Sequence, residues 1–67
     1  MADSKEKIEL LTTAELAEFL RISMPSVYRL VEQRIIPFYK IKGVIRFAKG
    51  EVLEYLQHNR IESANKL

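Results

Sequence analysis

Residues 12–31 read TTAELAEFLRISMPSVYRLV, and this run alone specifies two short helices and the turn between them. Thr12-x-x-Glu15 is a capping box, in which hydroxyl and carboxylate each satisfy an amide that the first helical turn leaves without a partner. Leu16, Ala17 and Leu20 follow at the i, i+1, i+4 spacing of a buried stripe, with Glu15 and Glu18 facing outward. A helix is expected over residues 13–20. Arg21, Ile22 and Ser23 break the pattern, and Ser23 before Met24 and Pro25 is a second helix start, with proline where its missing amide does no harm. On a helical wheel with Val27 at zero, Leu30 falls at about 300°, Val31 at about 40° and Met24 at about 60°, one compact apolar face. Pro25 and Arg29 lie opposite, with Ser26, Tyr28, Glu32 and Gln33 at the margins. The second helix is expected to run to about Gln33. Two helices this short, joined by three residues, cannot lie antiparallel and must cross steeply, with Ala17 as the small residue where the backbones meet.

Downstream, Pro37 stops any helical continuation, and residues 38–41 and 44–47 are β-prone runs separated by Lys42-Gly43, which predicts a hairpin. Helical spacing returns over residues 48–59, with Val52, Tyr55, Leu56 and Leu53 as candidates for the buried set. Ala48 is a poor cap and Gly50 a poor first-turn residue, so this start is weakly marked. Upstream, Leu10 and Leu11 precede the first cap and are placed to pack back on the helix as a staple. The expected order is a disordered arm over residues 1–9, one globular domain over 10–59 and a flexible tail over 60–67.

A 67-residue chain supports one small core, so marginal stability or help from a partner is expected. There is no cysteine, which excludes a disulfide framework and a thiolate zinc site and suits a reducing, cytoplasmic setting. The charged start MADSKEKIE lacks the apolar run of a signal peptide, and no stretch approaches the roughly 18 apolar residues of a membrane span. Net charge is only +2, but it is unevenly spread. Residues 21–49 hold Arg21, Arg29, Arg34, Lys40, Lys42, Arg46 and Lys49 against the single acid Glu32, a balance of +6. The preceding twenty residues carry −3 and the following eighteen −1. A basic middle between acidic ends is the footprint expected for a polyanion, although a solvated face is the plainer alternative on charge alone.

The apolar residues Leu16, Leu20, Ile22, Val27 and Leu30, with small Ala17, match the interlocking core of the helix-turn-helix pattern. Beyond it, LLTTAELAEFLRIS, then PSVYRLVEQRIIPFYKI, then a glycine turn, IRF and EVLEYL resemble the excisionase-type, MerR-like winged helix-turn-helix domains of bacteria and their mobile elements. The resemblance covers residues 10–57. It implies a mainly α fold with a small β-hairpin, three helices plus a two-stranded wing. It also implies binding to double-stranded DNA, as an excisionase-like recombination factor or a small transcriptional regulator. An integrase or other DNA-bound protein, and a second copy on DNA, are the partners such a role brings. Two departures stand out: the family usually has glycine where this chain has Arg21, and again where it has Arg34. Glycine there relieves a left-handed backbone that costs other residues about 1 kcal/mol. Either the turns are rearranged or that cost is accepted for a phosphate contact by each arginine.

The candidate DNA-contacting residues are Pro25, Ser26, Tyr28, Arg29, Gln33, Lys40, Lys42 and Arg46. Arg29 suits bidentate contact with guanine or a phosphate; its plain alternative is an ordinary surface arginine. Ser26 and Pro25 stand near the amino end of the second helix, the part that enters a major groove, and they also serve capping and initiation. Tyr28 can pack on the hairpin and point its hydroxyl at the DNA backbone, or be purely structural. Lys40, Lys42 and Arg46 belong to the wing, where they are expected on phosphates or in the minor groove. The rival from another class is a protein-interaction module that retains the fold without binding DNA.

Catalysis is not expected. His58 is the only histidine and reads as an exposed residue near a helix carboxyl end, where the dipole favours it. One histidine and no cysteine assemble no familiar transition-metal cluster, and there is no phosphate loop or nucleophile-base set. Glu15/Glu18 and Glu51/Glu54 are better read as dipole partners of helix starts than as paired catalytic acids. Neither cofactor nor metal is expected.

Overall fold

A computed structural model describes residues 8–63 of the chain. Its elements run β1 (Leu10–Leu11), α1 (Thr13–Leu20), α2 (Met24–Glu32), β2 (Tyr39–Ile41), β3 (Val44–Ala48) and α3 (Lys49–His58). Three helices with a small antiparallel sheet make a mainly α winged helix-turn-helix. The expectations for residues 1–7 and 64–67 lie outside the described residues.

Local chemistry explains where α1 and α2 begin. Thr12 Oγ1 accepts from the Glu15 amide at 3.0 Å while Glu15 Oε1 accepts from the Thr12 amide at 2.9 Å, the reciprocal capping box. Ser23 Oγ accepts from the Ser26 amide at 3.2 Å, with Pro25 in the first turn of α2. Both helices stop on the same device. Arg21 is left-handed (φ 58°, ψ 46°), and the Ile22 amide behind it donates to the Ala17 carbonyl at 3.0 Å. Arg34 repeats this at φ 54°, with Ile35 donating to the Leu30 carbonyl at 2.9 Å. The two turns are therefore not rearranged around their arginines, and the strain of a side chain in the left-handed region is retained. The hairpin turn is also left-handed at both of its positions, Lys42 (φ 52°) and Gly43 (φ 80°), the arrangement that matches the natural twist of the two strands.

The sheet has the order β1-β3-β2. Leu11 of the expected staple packs against the core cluster that includes Leu16 of α1, and the pair also forms a strand, with Leu10 opposite Ala48 and Leu11 opposite Phe47. The predicted two-stranded wing is thus the outer part of a three-stranded sheet. The Lys49 amide adds a 2.9 Å bond to the Glu9 carbonyl, so ordered pairing begins within the segment expected to be a free arm. β2 pairs with β3 through Tyr39/Arg46, Lys40/Ile45 and Ile41/Val44.

One core joins the helices to one face of the sheet: Leu16, Ala17, Val27, Ile36, Phe47 and Val52 are buried, with Leu20, Leu30, Ile45 and Tyr55 among those packed against them. Three residues expected in it are not: Ile22, Leu56 and Leu53, the last 47% exposed on the outer side of α3. Ile22 is 36% exposed, because the left-handed turn at Arg21 carries it past the last buried turn of α1. Leu56 is 40% exposed, because α3 turns Val52 and Tyr55 inward instead. Ile36, 1% exposed, was not anticipated. It lies outside any helix or strand, where no periodicity marks it, and the turn at Arg34 brings it back under the sheet. Ala48 provides no side-chain cap to α3, in keeping with its weak marking in the sequence.

Candidate nucleic-acid interface

The core stripe of α2 leaves its other side to solvent. Pro25, Tyr28 and Arg29 are exposed there and Ser26 is half-buried, so four of the sequence-chosen residues share one helix, and the exposed Gln33 is its C-cap. Ser26 is partly committed, since its hydroxyl lies 2.9 Å from that of Ser23 inside the cap. Ser26, Arg29 and Gln33 also form one wall of a shallow groove of about 410 Å³, whose other wall includes Tyr55 and Leu56 of α3. The exposed Ile22 and Leu56 both line this groove.

The wing residues are not gathered in the same way. Directly paired residues of an antiparallel ladder share a face. Lys40 opposes Ile45 and so lies on the core-facing side of the sheet, whereas Arg46 opposes Tyr39 on the other face. Arg46 is half-buried, and its Nη1 donates to the Ile45 carbonyl at 2.9 Å. Lys42 stands exposed at the hairpin tip. Lys40 and Lys42 are therefore available from the wing, while Arg46 is separated from them and already bonded.

Electrostatic partners sort the cations further. Lys49 is 3.9 Å from Glu9 and sits 5.7 Å from the centre of the Phe19 ring, and Arg60 pairs with Glu62. Among the described residues, Arg21, Arg29, Arg34, Lys40 and Lys42 are exposed and make no ion pair. These uncompensated cations stand before, on and after α2 and on the wing. Arg21 and Arg34 were not among the interface residues chosen from sequence, although the signal was present in the replacement of two turn glycines by arginine.

Tyr39 donates a 2.9 Å hydrogen bond to Glu51 Oε2, and this bond, together with the carboxylate charge, raises the phenol above its ordinary value. Glu51 thus links the wing to the first turn of α3. His58 Nδ1 donates to the Glu54 carbonyl at 3.0 Å in the last turn of that helix. No helix among the described residues is long and apolar enough to cross a membrane.

No curated protein and no solved structure matches the chain. A family model described as helix-turn-helix domain matches residues 10–60, from β1 to just beyond α3. That span holds both capped helices, the left-handed turn between them and the whole sheet, and the chain belongs to this helix-turn-helix domain family, a family of DNA-binding domains.

Proposed function

We propose that the chain binds double-stranded DNA sequence-specifically, with α2 in the major groove and the β2–β3 hairpin on the adjacent backbone or minor groove. The observation that carries this reading is that the cations Arg21, Arg29, Arg34, Lys40 and Lys42, which make no ion pair among the described residues, stand before, on and after one exposed helix and on the wing. A duplex offers a continuous row of phosphates to such a surface, and its major groove admits one α-helix. Arg29 is assigned to a base edge or a phosphate. Pro25 and Ser26 meet DNA at the amino end of α2, Tyr28 and Gln33 flank Arg29, and Lys40 and Lys42 meet the backbone. Arg46 contributes only through the donors that Ile45 leaves free.

The biological role in this reading is excisionase-like assistance to site-specific recombination or small-scale transcriptional regulation, in the cytoplasm. An integrase or other DNA-bound protein, or a second copy on DNA, is the partner that fits. No catalytic step, cofactor or metal is assigned. The test is selection of a duplex from a random pool followed by chemical methylation of the bound complex. Protection of guanine N7 in the selected site, weakened in Arg29→Ala, is expected. Absence of duplex binding at low salt would instead favour a protein-interaction module on the same fold.

A further inference from the structure

Among the described residues, every non-glycine residue with a left-handed backbone is a cation: Arg21 (φ 58°), Arg34 (φ 54°) and Lys42 (φ 52°). Glycine takes this conformation without strain, and asparagine is the usual side chain that tolerates it. Lysine and arginine have no local hydrogen bond to offer the backbone there. What they add at these positions is charge. All three are exposed and make no ion pair among the described residues, so the strain is not recovered through an internal partner.

The plainest explanation for a cation after a helix is the negative carboxyl end of the helix dipole. It applies to Arg21 and Arg34, which follow α1 and α2. It does not apply to Lys42, which lies between two strands. Nor does α3 use the device: among the described residues that follow it, neither the cap Asn59 (φ −104°) nor Arg60 after it is left-handed. The left-handed cations therefore track the proposed DNA surface rather than helix ends in general.

Resting on the docking proposed above, we infer that Arg21 and Arg34 are phosphate-contacting residues that bracket the recognition helix, with Lys42 as their counterpart on the wing. α2 has nine residues and so is about 13 Å long, close to the roughly 12 Å width of a major groove. A helix of that length seated in the groove brings its two ends toward the two phosphate backbones that border it. Arg21 stands just before the α2 cap and Arg34 just after its end, each able to present a planar guanidinium to one phosphodiester. The left-handed turns keep these side chains at the mouths of the groove, and the strain persists because DNA contact requires the charge there.

The test measures stability and duplex affinity of the full chain in parallel, using a mixed-sequence duplex over a salt series. In Arg21→Gly and Arg34→Gly the urea midpoint should hold or rise as the backbone strain is relieved. Affinity at moderate salt should fall about threefold or more, and the log–log salt slope should shrink by about one for each substitution. Arg21→Lys and Arg34→Lys should retain the slope. Glycine variants that match the native chain in affinity and slope would overturn the inference. If Arg29→Ala still weakened binding in that case, the proposed docking would stand without these two contacts. A native chain that binds no duplex at low salt would overturn both.

Discussion

The Tyr39 hydroxyl donates a 2.9 Å hydrogen bond to Glu51 Oε2, joining the first residue of β2 to the first turn of α3. The phenol keeps its proton to higher pH in the folded chain than in the unfolded one, because releasing it loses the bond and sets two negative charges side by side. A raised folded-state value means that the contribution to stability is complete below about pH 10 and is lost as pH rises through the folded value. The urea midpoint of the native chain should therefore fall more steeply above about pH 10 than that of Tyr39→Phe, which lacks the titrating group. Parallel curves would show that the bond does not form in solution.

Burial separates two sets of apolar residues that look alike in sequence. Val27 is 0% and Ile36 1% exposed, so Val27→Ala should cost roughly 1–3 kcal/mol and Ile36→Ala roughly 2–5 kcal/mol. In so small a domain either loss is enough to leave much of the chain unfolded. Ile22→Ala and Leu56→Ala should each cost less than about 1 kcal/mol, because both side chains already face solvent. Urea denaturation of the four variants checks the ordering, and equal losses would contradict the core described here.

Affinity for mixed-sequence duplex should fall steeply with salt. If the five unpaired cations each release a counterion from a phosphate, the log–log slope is about −4 to −5, a loss on the order of several hundredfold between about 50 and 200 mM salt. Titration by fluorescence anisotropy measures it directly. An affinity indifferent to salt would contradict the assigned surface.

Arg29 and Lys42 should fail in different ways. Arg29 stands on the exposed side of α2, so Arg29→Ala should leave the fold intact, cost roughly 1–3 kcal/mol of binding and relax preference at one base position. Lys42 at the hairpin tip reaches only backbone or minor groove, and Lys42→Ala should weaken all duplexes about equally while lowering the salt slope by about one. Binding to a selected site and to its single-base variants distinguishes the two. A reversed pattern would make the wing the reading element.

What the sequence determined by itself is what neighbours along the chain can settle. Thr12 and Glu15, Ser23 and Ser26, and Lys42 and Gly43 interact across three residues or fewer, so their spacing alone placed two helix starts and a hairpin turn. The helical period likewise identified Leu16, Ala17 and Val27 as buried. Tertiary structure alone decided the rest. Leu10 and Leu11 became a strand because β3, more than thirty residues away, offers an open edge of backbone donors and acceptors. Ile36 entered the core because a left-handed Arg34 redirects an aperiodic segment, and Leu56 was left outside because α3 meets the sheet through Val52 and Tyr55. In the candidate site, the sequence identified the cations but not which of them are free. The β2–β3 register sends Lys40 and Arg46 to opposite faces, and Glu9 draws in Lys49, which leaves the exposed Arg21, Arg29, Arg34, Lys40 and Lys42 without an ion pair among the described residues. Charge is a property of composition, but whether a charge is compensated depends on which groups folding brings within a few ångströms of it.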